Sequence, residues 1–182
     1  MNDESLWRRP RPPSTYRPTG KVLKVPALTV ARTSLALRTA GTNESACLWL
    51  GELDDNGMGC VKALVLPKQV NHPRNYLVPG EAMLEVAHVA RANNWTVVGA
   101  VHSHPGYGVE HSRYDDEMTP SRRAVSIVFP AYGRWAPPWP HGLGVHEYFE
   151  KYWHLLPDED AKKRVLLSES EEAPLIDLRC PE

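Results

Sequence analysis

The alternation of apolar and polar residues divides the chain into short, proline-bounded blocks. Lys21–Val25 is closed by Pro26 and predicts a short strand. Leu28, Ala31, Leu35 and Ala36 then recur at helical spacing, with Gly41 as the expected C-cap. Ala46–Leu53 and Gly59–Leu66 are β-rich apolar runs joined through Asp54-Asp55-Asn56-Gly57, and Asn-Gly between such runs predicts a β-hairpin. Pro67–Pro79 reads as a polar loop. Pro79 suits a first helical turn, and Met83, Val86, Ala87 and Ala90 share one face of an amphipathic helix over Glu81–Asn94. Trp95–His104 is apolar almost to its end, and Ala124–Phe129 is apolar up to Pro130. Both read as strands buried on two faces. Trp135–Pro140 must be a loop, Gly144–Tyr152 alternates as a strand, and beyond Pro157 the pattern weakens into charge. This order predicts an α/β (α+β) single domain, a central β-sheet with helices packed on it.

Length and composition narrow the picture. A chain of 182 residues and 20.5 kDa is one domain with some extra length. Residues 1–20 interleave Pro10, Pro12, Pro13 and Pro18 with Arg8, Arg9, Arg11 and Arg17, the composition of an extended arm, either partner-binding or a flexible tail. The domain is then expected over residues 21–167, with a tail over 168–182. Lysine plus arginine number 21 and aspartate plus glutamate 22, a net charge of -1, which removes the usual warrant for nucleic acid or an anionic membrane as partner. The longest apolar stretches, such as Trp95–Val101, fall far short of the roughly 18 residues a spanning helix needs. Met1–Pro10 has no apolar segment of secretory type. Cys47, Cys60 and Cys180 are an odd count without a pairing pattern, which fits a reducing cytoplasm.

The strongest chemical signal is Val101-His102-Ser103-His104-Pro105. Side chains alternate along a strand, so His102 and His104 point the same way and can act as a pair of metal ligands. The bland alternative is a polar strand end. Pro105 cannot continue a ladder, which places the pair at the strand's C-terminal end, where ligands collect in open α/β sheets. After the Gly106–His111 loop, Asp115 can return as a third ligand. Two histidines and an aspartate leave one tetrahedral position for water, the arrangement of a catalytic zinc. Ser112-x-x-Asp115 also reads as a capping box opening a short helix. A zinc hydrolase needs a proton shuttle. Glu44, at the start of the Ala46–Leu53 strand, meets the histidine end if the two strands run antiparallel, whereas Glu52 lies at the other end. Glu85-x-x-His88 has no second copy to make a di-iron site. His141, His146 and His154 lack ligand spacing and read as surface histidines. Trp135 and Trp139 read either as partner anchors or as packed on the domain.

Glu44, Leu48-Trp49-Leu50-Gly51, His102-Ser103-His104-Pro105, six residues, Ser112, two residues and Asp115 together resemble the JAMM (MPN-plus) metalloprotease signature. The resemblance covers roughly Lys21 to Trp153 and includes the helix before the histidine strand and Val125–Pro130 after it. Cys47 departs from it, since many members carry glycine there. The resemblance implies an MPN fold and Zn2+ held by His102, His104 and Asp115. It also implies Glu44 as general acid/base and Ser112 as oxyanion donor. It further implies cleavage of isopeptide or peptide bonds next to ubiquitin-like proteins. The prokaryotic branch that the chain looks like occurs beside ubiquitin-like proteins and their activating and conjugating enzymes in antiviral defence. Two other functions stay open, a processing peptidase for a sulfur-carrier or ubiquitin-like precursor and a non-catalytic MPN scaffold.

Overall fold

A computed structural model describes residues 9–169 and 172–179 of the chain. The first strand, β1 (Val22–Pro26), leads straight into helix α1 (Ala27–Arg38). The hairpin β2 (Ala46–Leu53) and β3 (Met58–Leu66) follows as expected, and Gly57 takes the left-handed φ of +79° that its turn requires. The expected Pro67–Pro79 loop instead contains a small separate hairpin, β4 (Val70–His72) and β5 (Asn75–Leu77). Helix α2 (Gly80–Ala92), strand β6 (Thr96–Ser103), helix α3 (Arg113–Met118) and strand β7 (Val125–Phe129) come next. The single strand expected over Gly144–Tyr152 is a hairpin, β8 (Gly144–Phe149) and β9 (Tyr152–Leu155). Its turn bends through positive φ at Glu150 and Lys151, so no glycine or proline announces it. The charged stretch after Pro157 forms helix α4 (Asp158–Arg164), strand β10 (Val165–Ser168) and strand β11 (Leu175–Asp177). Helix α4 has three acids in its first turn and three bases in its last, the order that a helix dipole favours.

Among the described residues one nine-stranded sheet runs β10-β1-β3-β2-β6-β7-β8-β9, with β11 also pairing β3. β1 covers the start of β3, at Met58–Cys60, and β11 covers its end, at Leu64–Leu66. The central strands are buried on both faces, which explains their unbroken apolar runs. Cys47, Trp49 and Val101 face α1, whereas Leu48, Leu50 and Ala100 face α2.

Helix α1 buries a face different from the expected one, whereas α2 buries the expected Val86 and Ala90, with Met83 packed beside them. In α1 the buried stripe is Thr29, Val30, Thr33, Ser34 and Leu37, and Leu28 and Leu35 are 61% and 59% exposed. The hydroxyls make this possible. Trp49 donates its indole N–H to Thr33 Oγ1 at 2.9 Å, Thr33 donates to the Thr29 carbonyl at 2.7 Å, and Ser34 donates to the Gly133 carbonyl at 2.6 Å. In α2 the fully buried residues are Ala82, Val86 and Ala90, while Ala87 faces solvent.

Residues 9–20 carry no helix or strand but lie against the domain. Tyr16 and Thr19 donate hydroxyl hydrogens to the carboxylate of Glu147, at 2.7 and 2.9 Å. Arg164 completes that buried group with an ion pair to Glu147 at 2.7 Å. Residues 1–8 and Cys180 fall outside the described residues. Among the described residues no helix is long and apolar enough to cross a membrane.

Candidate metal centre

The β-sheet sets the first part of the site. β2 and β6 pair antiparallel with Ala46 opposite His102, and the Ser103 amide donates to the Ser45 carbonyl at 3.0 Å. The start of β2 therefore meets the end of β6, which brings Glu44 level with His104. The His104 amide donates to the Phe129 carbonyl at 2.8 Å, so β7 fixes the strand end on its other side. The unexpected β4–β5 hairpin holds Glu44 in place. Its His72 carbonyl accepts from the Glu44 amide at 2.8 Å, and Asn71 Nδ2 donates to the Glu44 carbonyl at 2.7 Å.

Asp115 arrives on α3. Ser112 caps that helix, and both halves of the capping box are present. The Ser112 hydroxyl donates to Asp115 Oδ2 at 2.7 Å and accepts from the Asp115 amide at 3.2 Å. Thr119 Oγ1 donates to the Asp115 carbonyl at 2.8 Å. The capping geometry and the metal-ligand geometry thus coexist in one short turn.

The donor atoms converge. His102 Nε2 and His104 Nε2 stand 3.2 Å apart, His102 Nε2 lies 3.3 Å from Asp115 Oδ1, and His104 Nε2 lies 3.4 Å from Asp115 Oδ2. Atoms about 2.0–2.1 Å from a zinc ion at tetrahedral angles stand about 3.3 Å from one another. The two approaches to Asp115 run to different carboxylate oxygens; with one donor atom taken from each residue the three lie within 4.8 Å of one another, near enough to close on a zinc ion, and they are the group able to hold a metal among the described residues. His104 Nδ1 meets the Gly108 carbonyl at 2.9 Å, so the ring proton sits there and leaves Nε2 with its lone pair.

The charges suit a cation. Burial opposes ionisation of Asp115, but His102 and His104 together outweigh it and hold the carboxyl well below the usual carboxylate range. Burial lowers the pKa of His102, keeping it neutral. For His104 burial acts the same way, but Asp115, the Gly108 carbonyl and Glu44 outweigh it and raise the pKa. Glu44 is buried, and desolvation pushes its carboxyl up to about 7 against the pull of His104 and Arg74. Glu44, Arg74, His104, Ser112, Tyr114 and Asp115 line one cavity of about 180 Å³.

The matching sequence family agrees with this geometry. The profile of prokaryotic homologs of the JAB domain matches residues 27–136, more than half of the chain. The chain belongs to the JAB/MPN family. No curated protein matches it. A solution structure of a protein from Desulfitobacterium hafniense superimposes with a TM-score of 0.62 at 16% identity, covering 82% of this chain and 94% of that one. A second solution structure, of a protein from Salinibacter ruber, gives a TM-score of 0.52 at 18% identity, covering 74% and 88%. At these identities the likeness is one of fold. In this JAB domain the matched segment contains all five residues singled out in the sequence, Glu44, His102, His104, Ser112 and Asp115.

The remaining histidines need correction. His141 is exposed, but His146 and His154 are buried, not surface residues. The unexpected β8–β9 hairpin, whose pairing the sequence did not reveal, sets them on opposite faces of the sheet, with His154 across from Glu147. His146 stacks on His111 at a centroid distance of 3.9 Å, and His111 lies 5.6 Å from the His102 ring. Burial holds both His111 and His146 neutral. Glu52 is exposed and pairs with Lys62, far from the triad. Glu85 pairs with Lys68, and His88 faces solvent. Trp135 and Trp139 pack on the core. Sequence reasoning missed Asn71 and Arg74, which sit in a segment whose hairpin carries no turn signature beyond Pro73.

Proposed function

We propose that the protein is a zinc-dependent isopeptidase that removes a ubiquitin-like protein from conjugated targets, in the cytoplasm and within a bacterial antiviral-defence conjugation pathway. The observation that carries this reading is the triad, whose ligand atoms, one from each residue, lie within 4.8 Å of one another beside a buried carboxyl group. His102, His104 and Asp115 would hold Zn2+, which supplies Lewis acidity toward a carbonyl oxygen and an acidic water near neutral pH. Glu44 takes the water proton on a carboxylate oxygen and passes it to the departing lysine amine. A carboxyl with a pKa of about 7 is matched to both halves of that task. Ser112 turns its hydroxyl from Asp115 toward the substrate carbonyl and donates to the developing oxyanion. The extended C-terminal tail of the ubiquitin-like protein pairs with an exposed strand edge beside the cavity. The activating and conjugating enzymes of the same pathway are the natural further partners. Nucleic acid and membrane have no part in the reading.

The test uses the full chain loaded with zinc and a ubiquitin-like protein linked to a lysine. Cleavage is expected, with loss on chelation. Glu44→Gln should keep one zinc and slow cleavage by about a hundredfold or more. His104→Ala should lose the zinc. Cleavage that survives both chelation and Glu44→Gln would overturn the reading. A precursor with a C-terminal extension, run in parallel, separates deconjugation from processing. Binding of the ubiquitin-like protein without turnover and without need of zinc would mark a scaffold.

A further inference from the structure

The metal ligand Asp115 sits on a helix only six residues long, Arg113–Met118. So short an element makes little stability of its own, and its orientation must come from outside. Its N-terminus is set by the Ser112 cap, but a cap alone leaves the turn free to roll about its axis. The neighbouring residue, Asp116, points elsewhere and is held from two sides. His111 Nδ1 meets Asp116 Oδ1 at 2.9 Å, and the other nitrogen of that ring meets Ser126 Oγ, on β7, at 2.8 Å. Arg9 Nε donates to Asp116 Oδ2 at 2.8 Å, while a second guanidinium nitrogen donates to the Trp153 carbonyl, on β9, at 2.6 Å. Asp116 is thereby tied to two strands of the main sheet, through His111 to β7 and through Arg9 to β9.

Arg9 is itself firmly seated. Its guanidinium lies 4.2 Å from the centroid of the Tyr152 ring, and the Tyr152 hydroxyl donates to the Pro10 carbonyl at 3.1 Å. Only 11% of the side chain is exposed. Arg9 and Trp153 both lie outside residues 27–136, the span that the family profile matches. This chain therefore braces the site with parts that the family match does not include.

We propose that Arg9 is a positioning residue of the metal centre, acting through Asp116 to fix the rotation of α3 and so the approach of Asp115 to the two histidines. The proposal rests on the reading of His102, His104 and Asp115 as metal ligands. Outer groups that orient a ligand commonly change metal affinity tenfold to a hundredfold when removed. The N-terminal arm is thus a working part of the site. A small rolling of α3 moves Asp115 across the triad, whose ligand atoms lie within 4.8 Å of one another.

The experiment titrates full-length wild type, Arg9→Ala and Arg9→Lys with Zn2+ against a chelator of known affinity, and records the visible ligand-field bands of the Co2+ forms. Thermal unfolding of each apo protein monitors the fold. Arg9→Ala should bind zinc about tenfold more weakly, with shifted and weakened cobalt bands. Arg9→Lys keeps the ion pair but not the fork, and should fall between. Zinc affinity within twofold of wild type and superimposable cobalt spectra would overturn the proposal. If Arg9→Ala shows no apo unfolding transition, Asp116→Asn severs the ion pair without changing side-chain size, and the same limits decide. Failure of wild type itself to bind zinc, or unchanged binding in His104→Ala, would instead overturn the ligand assignment.

Discussion

At the scale of single residues, Glu44 is where burial and chemistry oppose each other. Its carboxyl has a pKa of about 7 in the folded chain against 4.5 when free, so the folded state binds its proton more tightly than the unfolded state does. Between those two values the folded state carries the extra proton, and stability therefore falls as pH rises through the window. In the metal-free protein the ionised Glu44 should cost about 3 kcal/mol of stability above pH 7. Glu44→Gln removes the charge that burial penalises. The apo variant should unfold at a higher temperature than apo wild type at pH 8, and the two should converge near pH 4.5. Parallel melting curves at pH 4.5 and pH 8 check this, and an equal gap at both values would exclude Glu44 as its source. The same substitution should slow cleavage, so a residue that weakens the fold at working pH would be one that serves the reaction.

At the scale of elements, the buried Glu147–Arg164 pair joins β8 to α4, with side chains 3% and 5% exposed. Removing one partner of such a pair leaves a charge without compensation, which costs about 3 kcal/mol or more. Arg164→Ala should lower the Tm by roughly 10 °C, measured by calorimetry, and leave zinc binding near wild type because the pair is not in contact with the triad. This ion pair also shows where the sequence could and could not be read. The β2–β3 hairpin, the β6 strand and the Ser112 turn were legible because Asn56-Gly57, an apolar run ending in His-x-His-Pro and Ser-x-x-Asp each carry a local physical signal. Helix α4 was not, since a seven-residue helix of mostly charged residues has too short an apolar face to show a period. The faces of α1 were misjudged for a related reason. Threonine and serine count as polar in a pattern, but here the Thr33 and Ser34 hydroxyls are satisfied by the helix's own Thr29 carbonyl, by the Gly133 carbonyl and by Trp49, and they are buried. The five residues proposed for the site stand out in the sequence because their signal lies in spacing. Of their supports, Asp116 adjoins Asp115, but Asn71, Arg74 and Arg9 come from distant segments whose meeting only the fold determines.

At the scale of the whole molecule, the sheet assigns different work to its two halves. The β6–β7 side carries the triad, and the β3 side closes the core. Strand β3 would be an open edge along Leu64–Leu66 without β11, which pairs there in parallel register. The Pro174 carbonyl accepts from the Leu64 amide and the Leu66 carbonyl accepts from the Leu178 amide, both at 2.9 Å. Ile176 and Leu178 pack on the cluster around Leu48, Leu50 and Val65. The segment past residue 168, read from sequence as a tail, therefore contributes a strand to the domain. A chain ending at Glu169 would present the unpaired backbone of Leu64–Leu66, an apolar edge of the kind that recruits a second chain. That truncation should lower the Tm by roughly 5–10 °C, since a few kcal/mol of packing and backbone pairing are lost, and should shift the protein toward oligomers in light scattering. It should bind zinc as the full chain does, because β2 and β6 still pair and α3 is anchored from β7 and β9. A truncated protein that stays monomeric with an unchanged Tm would show that β11 closes nothing. One that folds but loses zinc would show that the two halves of the sheet are coupled through β2, the strand that Glu44 begins.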